Sequence, residues 1–240
     1  ILLAFFLTFG LMTHARHYQV FVVGGGTSGV CAAVQSARLG AKTLLIDATP
    51  WLGGMLTAAG VSATDGCYRL PSGMWGDFQA ELARHYGSME ALQTGWVSMI
   101  QFEPSVGNQI FQRWVSNEPN ITYQPQTTWK NLRRTAQGWQ LTLVHETEEE
   151  PITADYLIDA TEMGDVAHAA GLPYHVGLDA RTDTGEPWAP AQARPIVQDM
   201  TYVMILKQYD KPQTIARPEG YDAREFRNCC INSLNDSNLK

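Results

Sequence analysis

The chain has 240 residues, 45% of them hydrophobic and 17% charged, with a formal net charge of −7. That length and apolar share suit one large core or two modest ones and exclude a disordered or fibrous chain. The acidic balance, with no basic stripe, argues against nucleic acid as a partner.

Ile1 to Met12 carries no charge and is almost wholly apolar, but it falls short of the ~20 residues that span a bilayer. Thr13-His14-Ala15 follows, with small residues at its first and third positions, and charge begins at Arg16. Residues 1–15 therefore read as the end of a secretory signal peptide. That predicts an exported protein, periplasmic or secreted, with no stable membrane insertion after cleavage. A buried apolar helix or a membrane anchor is the competing reading. Export would permit disulfides. The four cysteines, Cys31, Cys67, Cys229 and Cys230, match no zinc spacing, and no metal is expected. Cys31 reads as a small core residue, and the adjacent Cys229-Cys230 could pair with each other only through a strained ring.

Val20 to Val23 is a short, mainly β-branched run ending in glycines, as in a buried parallel strand. Val30, Ala33, Val34 and Ala37 recur at helical spacing, with Gly40 as the helix-ending glycine. Thr43 to Ile46 is a second buried strand, completing a βαβ unit. A glycine-punctuated loop region follows. A helix is expected over about Gly76 to Tyr86, with Phe78, Leu82 and Tyr86 on one face. Another begins at Pro104, with Val106, Ile110 and Trp114 as its stripe. Three strand segments, Ile121–Arg134, Trp139–Thr147 and Ile152–Thr161, form a β-meander. Gln137-Gly138 and the acidic Glu148-Glu149-Glu150-Pro151 supply its turns. Thr201 to Lys207 reads as one more strand, opening a second domain.

Gly24-Gly25-Gly26-Thr27-Ser28-Gly29 places G-x-G-x-x-G between a strand and a helix. Gly24 allows the tight turn, Gly26 the approach of a pyrophosphate, and Gly29 close packing of helix on sheet. The helix start turns N–H groups and the positive dipole end toward the phosphates. Asp47 stands at the end of the second strand, about 20 residues on, where a carboxylate can accept from ribose hydroxyls. On these residues NAD and FAD fit equally.

The segment Tyr156-Leu157-Ile158-Asp159-Ala160-Thr161-Glu162-Met163-Gly164-Asp165, arriving after a meander, is more specific. It resembles the FAD-dependent oxidoreductases of the glutathione-reductase structural type. More narrowly, it is similar to a bacterial family called simply FAD-dependent oxidoreductase, whose signature is close to D-A-T-G-x-G-D. Leu52-Gly53-Gly54-Met55-Leu56-Thr57 and Phe102-Glu103-Pro104 resemble further family segments, and the likeness runs from about Tyr18 to Lys207. It implies an α/β fold: a Rossmann-type FAD-binding parallel sheet with an inserted three-stranded β-meander and the start of a substrate domain. The FAD-binding domain would occupy residues 16–175, with a helical and loop insertion at about 60–118 and the meander at about 120–160. Residues 176–240 would open the substrate domain.

The resemblance also implies site roles. Gly24, Gly25, Gly26, Thr27, Ser28 and Gly29 would hold the pyrophosphate and Asp47 the ribose. Gly53, Gly54 and Met55 would approach the flavin ring, and Trp129 would meet adenine through its backbone. Thr161, Gly164 and Asp165 would close the site. A small-molecule substrate would deliver hydride to flavin; no catalytic acid or base is assigned. Glu162 departs from the family, which has glycine there. Its side chain either turns outward, leaving the backbone path unchanged, or faces the cofactor cavity. A third flavin-contacting segment of the family is not found, which implies a truncated chain or a remainder with which this one associates. The rival readings are a non-redox binding module with structural or lost FAD, and a nicotinamide-dependent dehydrogenase, against which the meander counts. His168 and His175, and Arg181 and Arg194, read as ordinary polar residues and solvated loop charges. Asn120-Ile121-Thr122 and Asn235-Asp236-Ser237 match the glycosylation sequon.

Overall fold

The computed structural model describes residues 15–95, 98–198, 203 and 209–226. The chain divides into two compact units, Ile1–Met204 and Ile205–Lys240. Among the described residues the second unit contains one 3-10 turn, Ala223–Phe226, next to an ion pair between Arg224 and Asp222. Ile1 to Met12, Cys229-Cys230 and the Asn235 sequon lie outside the described residues, as does the expected strand Thr201–Lys207 apart from Val203. No described helix is long and apolar enough to cross a membrane.

The first unit is built on β1 (Arg16–Val23), α1 (Thr27–Arg38) and β2 (Thr43–Ile46). The apolar alternation explains why β1 is central. Val20 and Val22 pack on one face, Phe21 and Val23 on the other, and both edges of the strand are paired. The first face is covered by α1, α2 (Gly73–Tyr86) and α3 (Pro104–Ser116). Pro104 sits in the first turn of α3, where its missing N–H costs no helix bond. The preceding backbone N–H of Glu103 is held at 2.8 Å by the Tyr86 hydroxyl at the end of α2. Phe78 of α2 stacks on Phe111 of α3 with ring centroids 4.9 Å apart, tying the insertion to the core.

The remaining strands are β3 (Ile121–Gln124), β4 (Thr127–Thr135), β5 (Gly138–His145) and β6 (Glu148–Asp159). The sheet order is β3-β2-β1-β6-β5-β4, parallel from β3 to β6 and antiparallel through the meander β4-β5-β6. Two expectations are corrected. Ile121–Arg134 is two strands, broken at the Pro125-Gln126 turn, where Gln126 takes a left-handed backbone at φ +51 that no strand continues. The glutamate run is not the hairpin tip. Glu146-Thr147 makes that turn, and Glu148–Glu150 pair with β5 as the first residues of β6.

β3 and β4 are opposite edges of the sheet, yet only two residues separate them. The three backbone steps from Gln124 to Thr127 reach about 10 Å, whereas five strand spacings are about 24 Å, so the sheet rolls back on itself. Leu141 and Leu143 of the meander accordingly pack with Phe21, Leu44 and Ile46 of the parallel half.

Candidate functional site

Val23, Ile46, Gln124 and Asp159 are level in the ladders. Four parallel strands thus end along one line, and Gly24–Gly29 leaves the sheet there to enter α1. Gly24 has φ +104, and a Cβ on it would lie 2.2 Å from the Ala160 carbonyl oxygen. A Cβ on Gly29 would lie 1.8 Å from the Gly24 carbonyl oxygen. These two glycines serve close backbone packing. Gly26 is different: its φ is −60, and a Cβ there would meet nothing nearer than Glu162 Oε1 at 3.3 Å. α1 has no side-chain N-cap and no acidic residue in its first turn. Its positive end is therefore not neutralised by its own sequence.

A cavity of about 490 Å³ opens at this edge, and Gly24, Gly26, Asp47, Trp129, Thr161 and Asp165 line it. Asp47 is fixed there by its neighbours. Its Oδ2 accepts the Gly25 N–H at 2.6 Å, and its Oδ1 accepts the Thr49 N–H and hydroxyl, both at 2.7 Å. A carboxylate has about four acceptor positions, so one remains for a hydroxyl in the cavity. Tyr123 on β3 has its phenol pushed up to about 12, first by burial and then by the Asp47 charge, with Gln112 partly offsetting both. The phenol therefore stays neutral near neutral pH.

Thr161 and Asp165 are placed from beneath by Asp159. Its Oδ1 accepts the Thr161 N–H at 2.9 Å and hydroxyl at 2.7 Å, and its Oδ2 accepts the Ala167 N–H at 2.8 Å. The Thr161 hydroxyl oxygen in turn accepts the Asp165 N–H at 2.8 Å. Burial pushes the Asp159 carboxyl up, but the hydrogen bonds from Thr161 and Ala167 outweigh it and hold it below the usual carboxylate range. Glu162, next in the chain, is exposed, and its carboxylate faces the glycine turn.

The other expected site residues stand around the cavity without lining it. Gly25 gives its N–H to Asp47, and Thr27 donates to the Gly53 carbonyl at 3.0 Å. Ser28 is exposed. Gly53 donates its N–H to the Gly25 carbonyl at 2.8 Å, and a Cβ on it would strike the Phe111 ring at 2.6 Å. A Cβ on Gly54 would lie 3.0 Å from Gly26 Cα, so this loop docks against the turn through bare backbone. Met55 is 58% exposed. Gly164, at φ +73, precedes the short helix α4 (Asp165–Ala169) and has nothing near its Cβ position.

Sequence reasoning missed Asn108, whose Oδ1 holds the Leu52 N–H at 2.9 Å. A lone asparagine on a helix gives no signal of that contact. It also missed Thr49, although a threonine two residues after an aspartate is a recognisable side-chain turn, and Thr127 and Thr128, which the unread break at Pro125 brings to the cavity.

His175 pairs with Asp179 at 2.7 Å, and His168 packs edge-on against Tyr174. Among the described residues no group of three or more His, Cys, Asp or Glu is placed to hold a metal. The described cysteines, Cys31 and Cys67, are free, and burial pushes the Cys31 thiol up, away from reactive thiolate.

The cavity suits a dinucleotide diphosphate. It has bare backbone at Gly24 and Gly26, an uncapped helix end and hydroxyls along the rim, with one acceptor position left on Asp47. A family model described as FAD dependent oxidoreductase matches residues 19–237. Among solved structures the chain is similar to BexE, studied for oxidation during BE-7585A biosynthesis. The identity is 15%, covering 68% of this chain and 36% of that one, with a TM-score of 0.51. It is also similar to a flavoprotein/dehydrogenase from Cytophaga hutchinsonii at 15% identity, covering 63% and 40%, with a TM-score of 0.47. The chain spans less than half the length of such solved chains, 23% in an L-proline dehydrogenase from P. horikoshii.

Proposed function

This chain belongs to the FAD-dependent oxidoreductase family, and from that premise we propose that it forms the cofactor-binding part of an enzyme that takes hydride from a small organic substrate. One observation carries the reading: four parallel strand ends, a turn without Cβ atoms and the uncapped end of α1 meet at a single cavity. When bound, FAD supplies the two-electron chemistry; the protein's work is binding and orientation. The N–H groups at the start of α1 would take the diphosphate, and Gly26 would let it approach. Asp47 would accept from a ribose hydroxyl with its remaining position. Trp129 and Thr128 would flank the adenosine, and Thr161 and Asp165, held by Asp159, would close the near side.

The test is the visible spectrum of the full protein before and after small-molecule reductants, with chromatography of the heat-released ligand. The expected result is flavin bands that bleach on reduction and a ligand that runs as FAD. Absence of flavin in folded protein overturns the reading. Flavin that no donor reduces moves the protein to the structural-cofactor class.

Export is a second element of the proposal. It rests on the apolar Ile1–Met12 followed by Thr13-His14-Ala15. β1 begins at Arg16, so cleavage before it leaves the sheet whole. N-terminal sequencing of natively produced protein should start near Arg16; a retained apolar segment in a membrane fraction overturns it.

A further inference from the structure

Glu162 is used neither by the packing nor by the cofactor contacts proposed above. Its carboxylate nevertheless has a definite place. Oε1 lies 2.7 Å from the Cβ position of Gly54 and 3.3 Å from that of Gly26, between the two bare-backbone segments that meet at the turn. It has no hydrogen-bond or ion-pair partner among the described residues. What it does have is the field of α1. That helix starts at Thr27 with no side-chain cap and no acidic residue in its first turn, and an anion beside such an end is favoured.

A diphosphate at this turn needs the same positive end and the same space. The cavity is lined by three carboxylates, Asp47, Glu162 and Asp165, and by no lysine or arginine. Asp47 is tied by its three hydrogen bonds. Glu162 and Asp165 are both exposed with untied carboxylates, but it is Glu162 whose oxygen lies against Gly26 and Gly54 at the start of α1. A retained carboxylate at contact distance from a phosphate charge costs about fivefold in affinity even in water.

We propose that Glu162 is a built-in competitor for the diphosphate position. Its carboxylate occupies the α1 end when no dinucleotide is present. It must rotate into solvent when the diphosphate binds, and it thereby weakens cofactor retention. This rests on the turn being the diphosphate site, and the experiment separates the two ideas. Cofactor-stripped full protein is titrated calorimetrically with FAD, ADP and adenosine as wild type, Glu162→Gln and Glu162→Ala. Melting temperatures check that the exposed substitutions leave the fold intact.

Both variants should bind FAD and ADP about two- to fivefold tighter than wild type, the worth of a carboxylate beside a helix N-terminus that wild type gives up on binding, with adenosine unchanged because it carries no diphosphate. The alanine variant guards against a gain contributed by the glutamine amide itself. Variants that bind FAD and ADP no tighter, or that gain equally for adenosine, overturn the competitor role. Wild type that binds ADP no better than adenosine removes the turn as the diphosphate site, and the inference falls with it.

Discussion

The two strand ends that frame the cavity are built in opposite ways. At the end of β1 the geometry is made of backbone: Gly24 lies against the Ala160 carbonyl, Gly29 against the Gly24 carbonyl, and Gly53 pairs with Gly25. At the end of β6 it is made of side chains, with Asp159 holding Thr161 and Ala167, and Thr161 holding Asp165. A site made of backbone admits no added atom, because a new Cβ has nowhere to go. A site made of side-chain hydrogen bonds tolerates substitution at modest cost but responds to pH.

The largest test of this contrast lies within the turn. Gly29→Val places a Cβ 1.8 Å from a carbonyl oxygen and should cost about 3 kcal/mol or more, read as a large fall in melting temperature. A melting curve superimposed on wild type would break the comparison. Gly26→Ala, three residues earlier, should leave stability within about 0.5 kcal/mol, because its Cβ closely meets only the far end of the exposed Glu162 side chain, at 3.3 Å, which can give way. That Cβ stands where the diphosphate must approach, so FAD affinity should fall at least about tenfold. Equal losses of stability in the two variants would erase the distinction between fold glycines and ligand glycine.

On the β6 side the effects are smaller and depend on pH. Asp159→Asn should cost about 1 kcal/mol at neutral pH, because the carboxylate is partly solvated and screened. The sign of the pH dependence follows from the lowered folded-state value of Asp159. Its contribution is fully present above the unfolded value, about 3.9, and is lost as pH falls through the folded value. In urea melts from neutral pH to pH ~3, wild type should therefore lose more stability than Asp159→Asn; parallel losses would show that Asp159 is not the acid-sensitive contact. The smallest effect is expected of Thr49→Val, which removes the hydroxyl bond to Asp47 but keeps the backbone one. About 0.5 kcal/mol, measured by denaturant midpoint, is the expected loss.

Much of this was legible in the sequence. The βαβ opening, the glycine turn, Asp47 at the end of β2 and Pro104 at the start of α3 are local patterns, in which strand, turn and helix signals sit within a few residues of one another. The first meander segment was read too long because its apolar pattern runs on through Pro125. The structure places Ile121–Gln124 and Thr127–Thr135 on opposite edges of the sheet. Gly53, Gly54 and Met55 were expected beside the flavin from resemblance alone; the structure gives the two glycines packing against Phe111 and Gly26 as their own reason to be bare.

By itself, then, the sequence determined the parallel core and the turn that opens it, because periodicity and glycine placement act within one turn or one strand. Only the tertiary structure decided that Asn108 pins the 52–57 loop and that Glu162 faces α1 rather than turning away. Those placements depend on which chain segments lie side by side once the sheet has rolled back on itself. That is set by packing among residues far apart in sequence, and no local pattern carries it.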